Sequence, residues 1–315
     1  MTKKLPIFYS ALLLTGVNLL LRLVSTGFQV YISGRIGPAG VGLLQLVLSV
    51  GSLAITAAMA GVRTATMYLT AQELGKRRQQ NVARVLSVCF LYSIVISGCV
   101  GIGLYYFAPA ISRFWIGNPD TVPAIRLYSG MIPVICLCGV MTGYFTAANR
   151  IGTLVAVEVA EQLCAMAVTL LVLTFWAGND PAKAFQSIIF GSGISACLTL
   201  VCLMVLRHRE KAPIGPPVKL ANRLFAIALP LALADDVKAG ISTTENLMVP
   251  KRLAQYTGVL SPLAAFGIVC GMVFPVMMFP AAILSSLAEV LIPELARCAA
   301  VGSRRRIQYL VRRNL

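Results

Sequence analysis

Apolar runs of about 20 residues or longer recur along the whole chain, near 6–32, 40–70, 83–107, 123–148, 152–176, 184–206, 224–247 and 263–292. A run of that length lets an α-helix cross a hydrocarbon layer about 30 Å thick. Backbone amides find no water inside a bilayer, so only helices and closed barrels cross it. These runs are too long and too uniformly apolar for the alternating strands of a barrel. The expected fold is therefore all-α, a polytopic transmembrane helix bundle of about eight spans.

Composition points the same way. Hydrophobic residues make up 58% of the chain and charged residues only 12%, about half the charged share of a soluble domain. The chain lacks the charged surface that water would demand. Lys3 and Lys4 precede an apolar run, as in a secretory leader, but the run passes Arg22 to reach Ile32 with no small-residue cleavage site. It reads as a retained first helix.

The net charge of +16 comes from short basic blocks between the runs. No basic face interleaved with aromatics surrounds them, so nucleic acid is not an expected partner. Counted over alternating loops, 18 Lys and Arg fall on one side and 6 on the other, with Arg22, Arg63 and Lys238 left inside spans. The positive-inside rule places the richer side, and the amino terminus, in the cytoplasm of a cell-membrane protein. The longest basic connection contains RHREKAPIGPPVK, whose three prolines mark a linker. The expected organisation is a six-helix lobe over 1–206, a cytoplasmic linker over 207–223, and over 224–315 the first two helices of a second lobe with a basic tail.

The nine cysteines lie almost wholly within apolar runs, there is no CxxC, and His208 is the one histidine. That spacing holds no metal, and neither a metal nor another cofactor is expected. The sequence has no phosphate-binding glycine loop, no GxSxG elbow and no HExxH, so no catalytic residue is assigned and an enzyme is not expected.

Ionisable residues inside spans are costly and by default face a bundle interior or a watery cavity. Here they are Arg22, Arg63, Glu158, Glu161, Asp235, Asp236, Lys238 and Glu245. Arg22 and Arg63 suit a phosphate-bearing substrate, because a guanidinium fork binds phosphate oxygens in pairs and keeps its charge. The competing structural reading has Arg63 snorkelling from a helix end and Arg22 pairing with a buried glutamate. Asp235 and Lys238 stand three apart and can neutralise each other on one helix face. Glu161 and Glu245 have no such neighbour and suit a site for a cation or proton, so Glu161, Glu245, Asp235 and Lys238 form the candidate cavity or ion-coupling set. Pro133, Pro230, Pro275 and Pro280 mark kinks, and Gly267 with Gly271 gives the GxxxG spacing of close helix packing.

Four stretches in order, 20–46, 143–163, 228–253 and 279–297, resemble the polysaccharide-transporter branch of the multidrug/oligosaccharidyl-lipid/polysaccharide exporter superfamily, particularly its stage V sporulation protein B group. In that group a first-helix arginine precedes a fold-back at IG-x-x-GVGL, matched by Arg22, Ile36, Gly37, Gly40, Val41, Gly42 and Leu43. GYF followed by a helix carrying Glu-Gln is matched by Gly143, Tyr144, Phe145, Glu161 and Gln162. Cys164 and Ala165 stand where a basic residue commonly follows. Leu229, Pro230 and Glu245 match the seventh helix, whereas Asp235 and Asp236 depart from it.

The resemblance implies a flippase-like transporter that exports a lipid-linked oligosaccharide, or a polysaccharide, peptidoglycan or spore-envelope precursor, by alternating access. Its partners would be that substrate, membrane lipids, and Na⁺ or H⁺ for coupling. Members are usually longer, with two complete lobes, so this chain is expected to be cut short in its second lobe. The other readings are a cation- or proton-coupled multidrug-type antiporter, a truncated membrane protein that transports nothing, and a membrane-embedded transferase.

Overall fold

The computed structural model describes residues 7–278 apart from 60, 76–78, 149, 178–180, 209–219 and 256–260. Almost every described residue is helical and none lies in a strand. The helices are α1 (Ile7–Met59), α2 (Val62–Gly75), α3 (Gln79–Ala110), α4 (Val122–Ala147), α5 (Ile151–Val172), α6 (Pro181–His208), α7 (Leu220–Leu253), α8 (Pro262–Ile268) and α9 (Phe274–Met277). π-Helical turns extend α3 (Ile111–Ile116), α5 (Leu173–Ala177) and α8 (Val269–Val273).

The chain divides into two compact units, Ile32–Gly271, and Met1–Tyr31 with Met272–Leu315. The described parts of the smaller unit are the first arm of α1 and the short α9. In the larger unit, α3 packs on α4, α4 on α6, α5 on α6, α2 on both α3 and α4, and α7 on α2, α3 and α8.

Two apolar clusters stack along this bundle. One joins α2 (Val62, Leu69) to the starts of α3, α5 and α7 (Val85, Leu154, Ala228) and the ends of α4 and α6 (Phe145, Leu203). The other joins the second arm of α1 (Val47, Ala58) to the ends of α3 and α7 (Leu104, Leu247), the starts of α4 and α6 (Ile125, Phe185), and Phe266 of α8. Successive helices from α3 to α7 therefore run in alternating directions, as the apolar runs predict.

The bundle is turned inside out relative to a soluble protein. Leu91 and Ile102 of α3 are 66% and 62% exposed, as are Leu171 of α5 and Val201 of α6 at more than half, while Ser93, Ser97 and Ser195 are fully buried. Aliphatic side chains outward and small hydroxyls inward is the pattern of helices whose solvent is lipid and whose interfaces need close approach. The chain is a multi-pass membrane protein.

Glycines decide where the first helices break. Gly37 has φ 71 and ψ 167, a region open to glycine alone, and Pro38 follows it at the position where a helix start tolerates proline. Gly61, at φ 68, separates α1 from α2. The expected first two spans, 6–32 and 40–70, thus lie on either side of the break at Gly37, and the second carries a further interruption at Gly61 inside its apolar run. Five described segments are long and apolar enough to cross a membrane, against about eight expected. The difference arises because the interrupted stretch Leu20–Leu74 counts once, α7 is too polar, and α8 offers only a short apolar segment. Most of the linker at 207–223, the second half of the 263–292 run with Pro280, and the basic tail lie outside the described residues.

The close-packing reading of Gly267 holds. A Cβ there would strike the Pro38 carbonyl and come within 2.7 Å of the Gly42 nitrogen, while one on Gly42 would strike the Leu263 carbonyl. Helix α8 therefore crosses the start of the second α1 arm backbone to backbone, which gives Gly37 a physical role as the break and Gly42 one as the crossing point.

Candidate functional site

Helix α2 is short, and its exposed face carries an arginine, a threonine and a tyrosine. Val62, Ala65, Thr66, Leu69, Thr70 and Glu73 are buried, whereas Arg63, Thr64, Met67, Tyr68 and Ala71 are exposed. The buried face is held tightly by α4. A Cβ on Gly143 would lie 2.5 Å from the Arg63 carbonyl, and one on Gly139 would lie 2.9 Å from the end of Met59. Gly139 and Gly143 stand four apart on one face of α4, and their missing side chains are what let the break at Gly61 sit against it. On the other side Gly61 meets the backbone of Ala228 in α7, 2.5 Å from where a Cβ would be. Arg63 thus stands, exposed and fixed by its backbone, where the two apolar clusters meet.

Helix α7 carries three stripes. Ala228, Ala232, Thr243 and Leu247 are buried. Leu229, Leu233, Val237 and Ile241 form an exposed aliphatic stripe. Asp235, Lys238, Ser242 and Glu245 form an exposed polar one, at the three-and-four spacing that puts side chains on one helix face. The buried stripe bonds to the second arm of α1, for Thr243 Oγ1 donates to the Ser49 carbonyl at 3.2 Å and Asn246 Nδ2 donates to Ser49 Oγ at 3.0 Å. Asp236, between stripes, has one carboxylate oxygen buried and accepting no hydrogen bond.

The residues expected from sequence fall into three places. Arg63 lies on α2, and Asp235, Lys238 and Glu245 lie on α7, whose start packs against α2 and whose later part bonds to Ser49 of α1. Glu161 lies apart, half-buried between α5 and α6, where the Thr199 hydroxyl donates to its carboxylate and Ser195 Oγ donates to its carbonyl at 2.6 Å. Arg22 is exposed on the first arm of α1, in the smaller unit. No ion pair joins Asp235 to Lys238, although both are described. Among the described residues no three His, Cys, Asp or Glu side chains gather as metal ligands.

Sequence reasoning missed Gly61, Ser49, Thr243 and Asn246. The polar run Ser242–Asn246 was the available signal for the last two. Thr243 and Asn246, three apart, share the face that meets α1, while Glu245 between them turns to the exposed stripe.

The MatE family model matches residues 15–175, just over half of the chain. The chain belongs to the MatE family. That family lies within the multidrug/oligosaccharidyl-lipid/polysaccharide exporter superfamily, as the sequence resemblance implies. The matched residues run from α1 through α5 and include Arg22, Arg63 and Glu161, leaving the polar stripe of α7 beyond them. The chain is also similar to "Stage V sporulation protein B" of Bacillus subtilis (strain 168), with 22% identity over 296 residues, 90% of this chain and 57% of that protein. It therefore spans little more than half the length of this curated relative. No solved structure matches.

Proposed function

We propose that this MatE-family chain serves a flippase-like exporter that moves a lipid-linked oligosaccharide, or a polysaccharide or peptidoglycan precursor, across the cell membrane by alternating access. The carrying observation is the contrast between helices: α2 and its neighbour α7 expose Arg63, Thr64, Tyr68, Asp235, Lys238, Ser242 and Glu245, where α3 exposes Leu91, Val95 and Ile102. A polar stripe is stable within a membrane only where it lines water or substrate. Arg63, at the first turn after a broken helix, joins its guanidinium to the positive end of the α2 dipole, a combination suited to phosphate. Arg22, whose guanidinium suits phosphate in the same way, is the second proposed contact. Helices interrupted at the substrate level are the usual device of such transporters.

In this reading the amino terminus is cytoplasmic, 1–206 and 224–315 belong to separate lobes, and membrane lipids surround the aliphatic faces. Asp236, with a buried oxygen that accepts no hydrogen bond, and the acids of the α7 stripe support coupling to Na⁺ or H⁺. The same acids favour, as the second reading, an antiporter for organic cations.

The test is leaflet accessibility of lipid-linked precursor in cells depleted of their own flippases and expressing the chain. Precursor reaches the outer leaflet with the native chain and fails to with Arg63→Ala. Transport of an organic cation against a Na⁺ or H⁺ gradient, with no precursor movement, would establish the antiporter instead.

A further inference from the structure

At the opposite end of the bundle from α2, the second arm of α1, the end of α3 and its π-helical turn enclose an open cleft of about 430 Å³, within the range of small-molecule sites, about 300–1,000 Å³. It is lined by Ala54, Val100, Gly103, Leu104, Phe107, Ala110, Ile111, Phe114 and Trp115, and none of these side chains is charged. Phe107 and Phe114 stand out at 67% and 77% exposure. The wall exists because α3 leaves regular α-geometry after Pro109: the wider π-turn Ile111–Ile116 ends at Gly117, whose φ of 80 turns the chain away while its N–H donates to the Ser112 carbonyl at 2.8 Å.

The rim is basic. Lys251 Nζ donates to the carbonyl of Phe114, a lining residue, at 3.2 Å. An ammonium has three donors, so this bond anchors the lysine at the mouth and leaves capacity for an anion. Arg113 is exposed on the same π-turn and Arg252 beside Lys251, and Asp120 is the acid of the turn that follows.

We infer that this cleft binds an anionic phospholipid of the membrane, one acyl chain lying between Phe107 and Phe114 and the headgroup phosphate meeting Lys251 and Arg113. Hydrocarbon walls offer nothing to the backbone of a peptide, whose amides would be left unpaired there, and the basic rim repels cationic amphiphiles. A chain with a phosphate at one end satisfies both parts. The exposed aromatics Tyr105, Tyr106 and Trp115 at this level suit the headgroup boundary, where such rings concentrate. This site is separate from the α2–α7 stripes and does not depend on what they transport.

Gly103 supplies a clean probe, since a Cβ added there meets nothing within 4 Å. Gly103→Leu fills the cleft without displacing backbone. The purified, delipidated full chain is titrated with phosphatidylglycerol and with phosphatidylcholine of the same acyl chains, and bound lipid is counted by native mass spectrometry. Phosphatidylglycerol is expected to bind preferentially, Arg113→Gln and Lys251→Gln each to weaken it about fivefold, and Gly103→Leu to abolish retention with the unfolding midpoint unchanged. If Gly103→Leu lowers that midpoint, the Arg113→Gln/Lys251→Gln variant decides alone. Equal binding of both lipids, indifference to these substitutions, or a dimer formed through this face would overturn the proposal.

Discussion

The outward face of α3 is largely aliphatic, whereas those of α2 and α7 also carry charges and hydroxyls. Helix α3 shows Leu91, Val95 and Ile102 outward and buries Ser93 and Ser97. Helix α2 shows Arg63, Thr64 and Tyr68 and buries Val62 and Leu69, and α7 splits its exposed surface between an aliphatic stripe and a polar one. Lipid tolerates only the first arrangement. Under the proposed function, the first surface meets hydrocarbon and the second meets water or substrate.

The largest effect should come from forcing one face to behave as the other. Val95→Arg places a charge on the lipid side of α3 and should cost about 2.5–3.5 kcal/mol at mid-membrane, read as lost insertion or a lower unfolding midpoint in bilayer-like discs. Met67→Arg, on the exposed face of α2, should be tolerated. If both are tolerated, the faces are not distinct.

Next in size is the packing that holds the polar face in place. Gly143→Leu drives a side chain into the Arg63 backbone and should cost about 1–3 kcal/mol by overpacking, lowering thermal stability and transport together. Gly98→Ala, where a Cβ meets nothing within 4 Å, is the control and should leave both unchanged.

Smaller still are the hydroxyl bonds. Thr243→Val removes the donor to the Ser49 carbonyl, and Thr199→Val removes the donor to the Glu161 carboxylate. Each should cost about 0.6 kcal/mol, the mean for side-chain hydrogen bonds between membrane helices. If α5 and α6 form a static seam, Thr199→Val changes stability alone, whereas Thr243→Val, beside the polar stripe, should also change the transport rate. Smallest in stability is Arg63→Ala, expected within about 0.5 kcal/mol for an exposed side chain, with its consequence confined to transport.

Most of the helix bundle was legible in the sequence, and the reason is local. The runs at 83–107, 123–148, 152–176 and 184–206 became α3 to α6 with ends shifted by a few residues, because an apolar run bounded by charge has one cheap solution in a membrane. The break at Gly37 was legible too, because it falls in the SGRIGPA gap between the first two runs, whereas Gly61 sits inside the second run, where hydropathy does not register a backbone dihedral. The candidate residues were legible as types. Charge in a span marks Arg63, Asp235, Lys238 and Glu245 whatever their neighbours, and all four lie on exposed polar stripes. Which helix each of them lies beside was not legible, because that rests on contacts between segments far apart in sequence. Glu161 carries the same signal, yet its carboxylate is taken up by Thr199 in a different seam, and Arg22 belongs to a different unit.

The most direct test is thiol accessibility in cells, in a chain whose nine native cysteines are replaced. Single cysteines are introduced as Tyr68→Cys on α2, Ser242→Cys on α7 and Val95→Cys on α3, and each is treated with a small hydrophilic thiol reagent. Tyr68→Cys and Ser242→Cys should react, and lipid-linked pyrophosphate should slow that reaction, while Val95→Cys stays unmodified. Equal reactivity at all three positions, or none at Tyr68→Cys and Ser242→Cys, would contradict a polar cavity walled by α2 and α7.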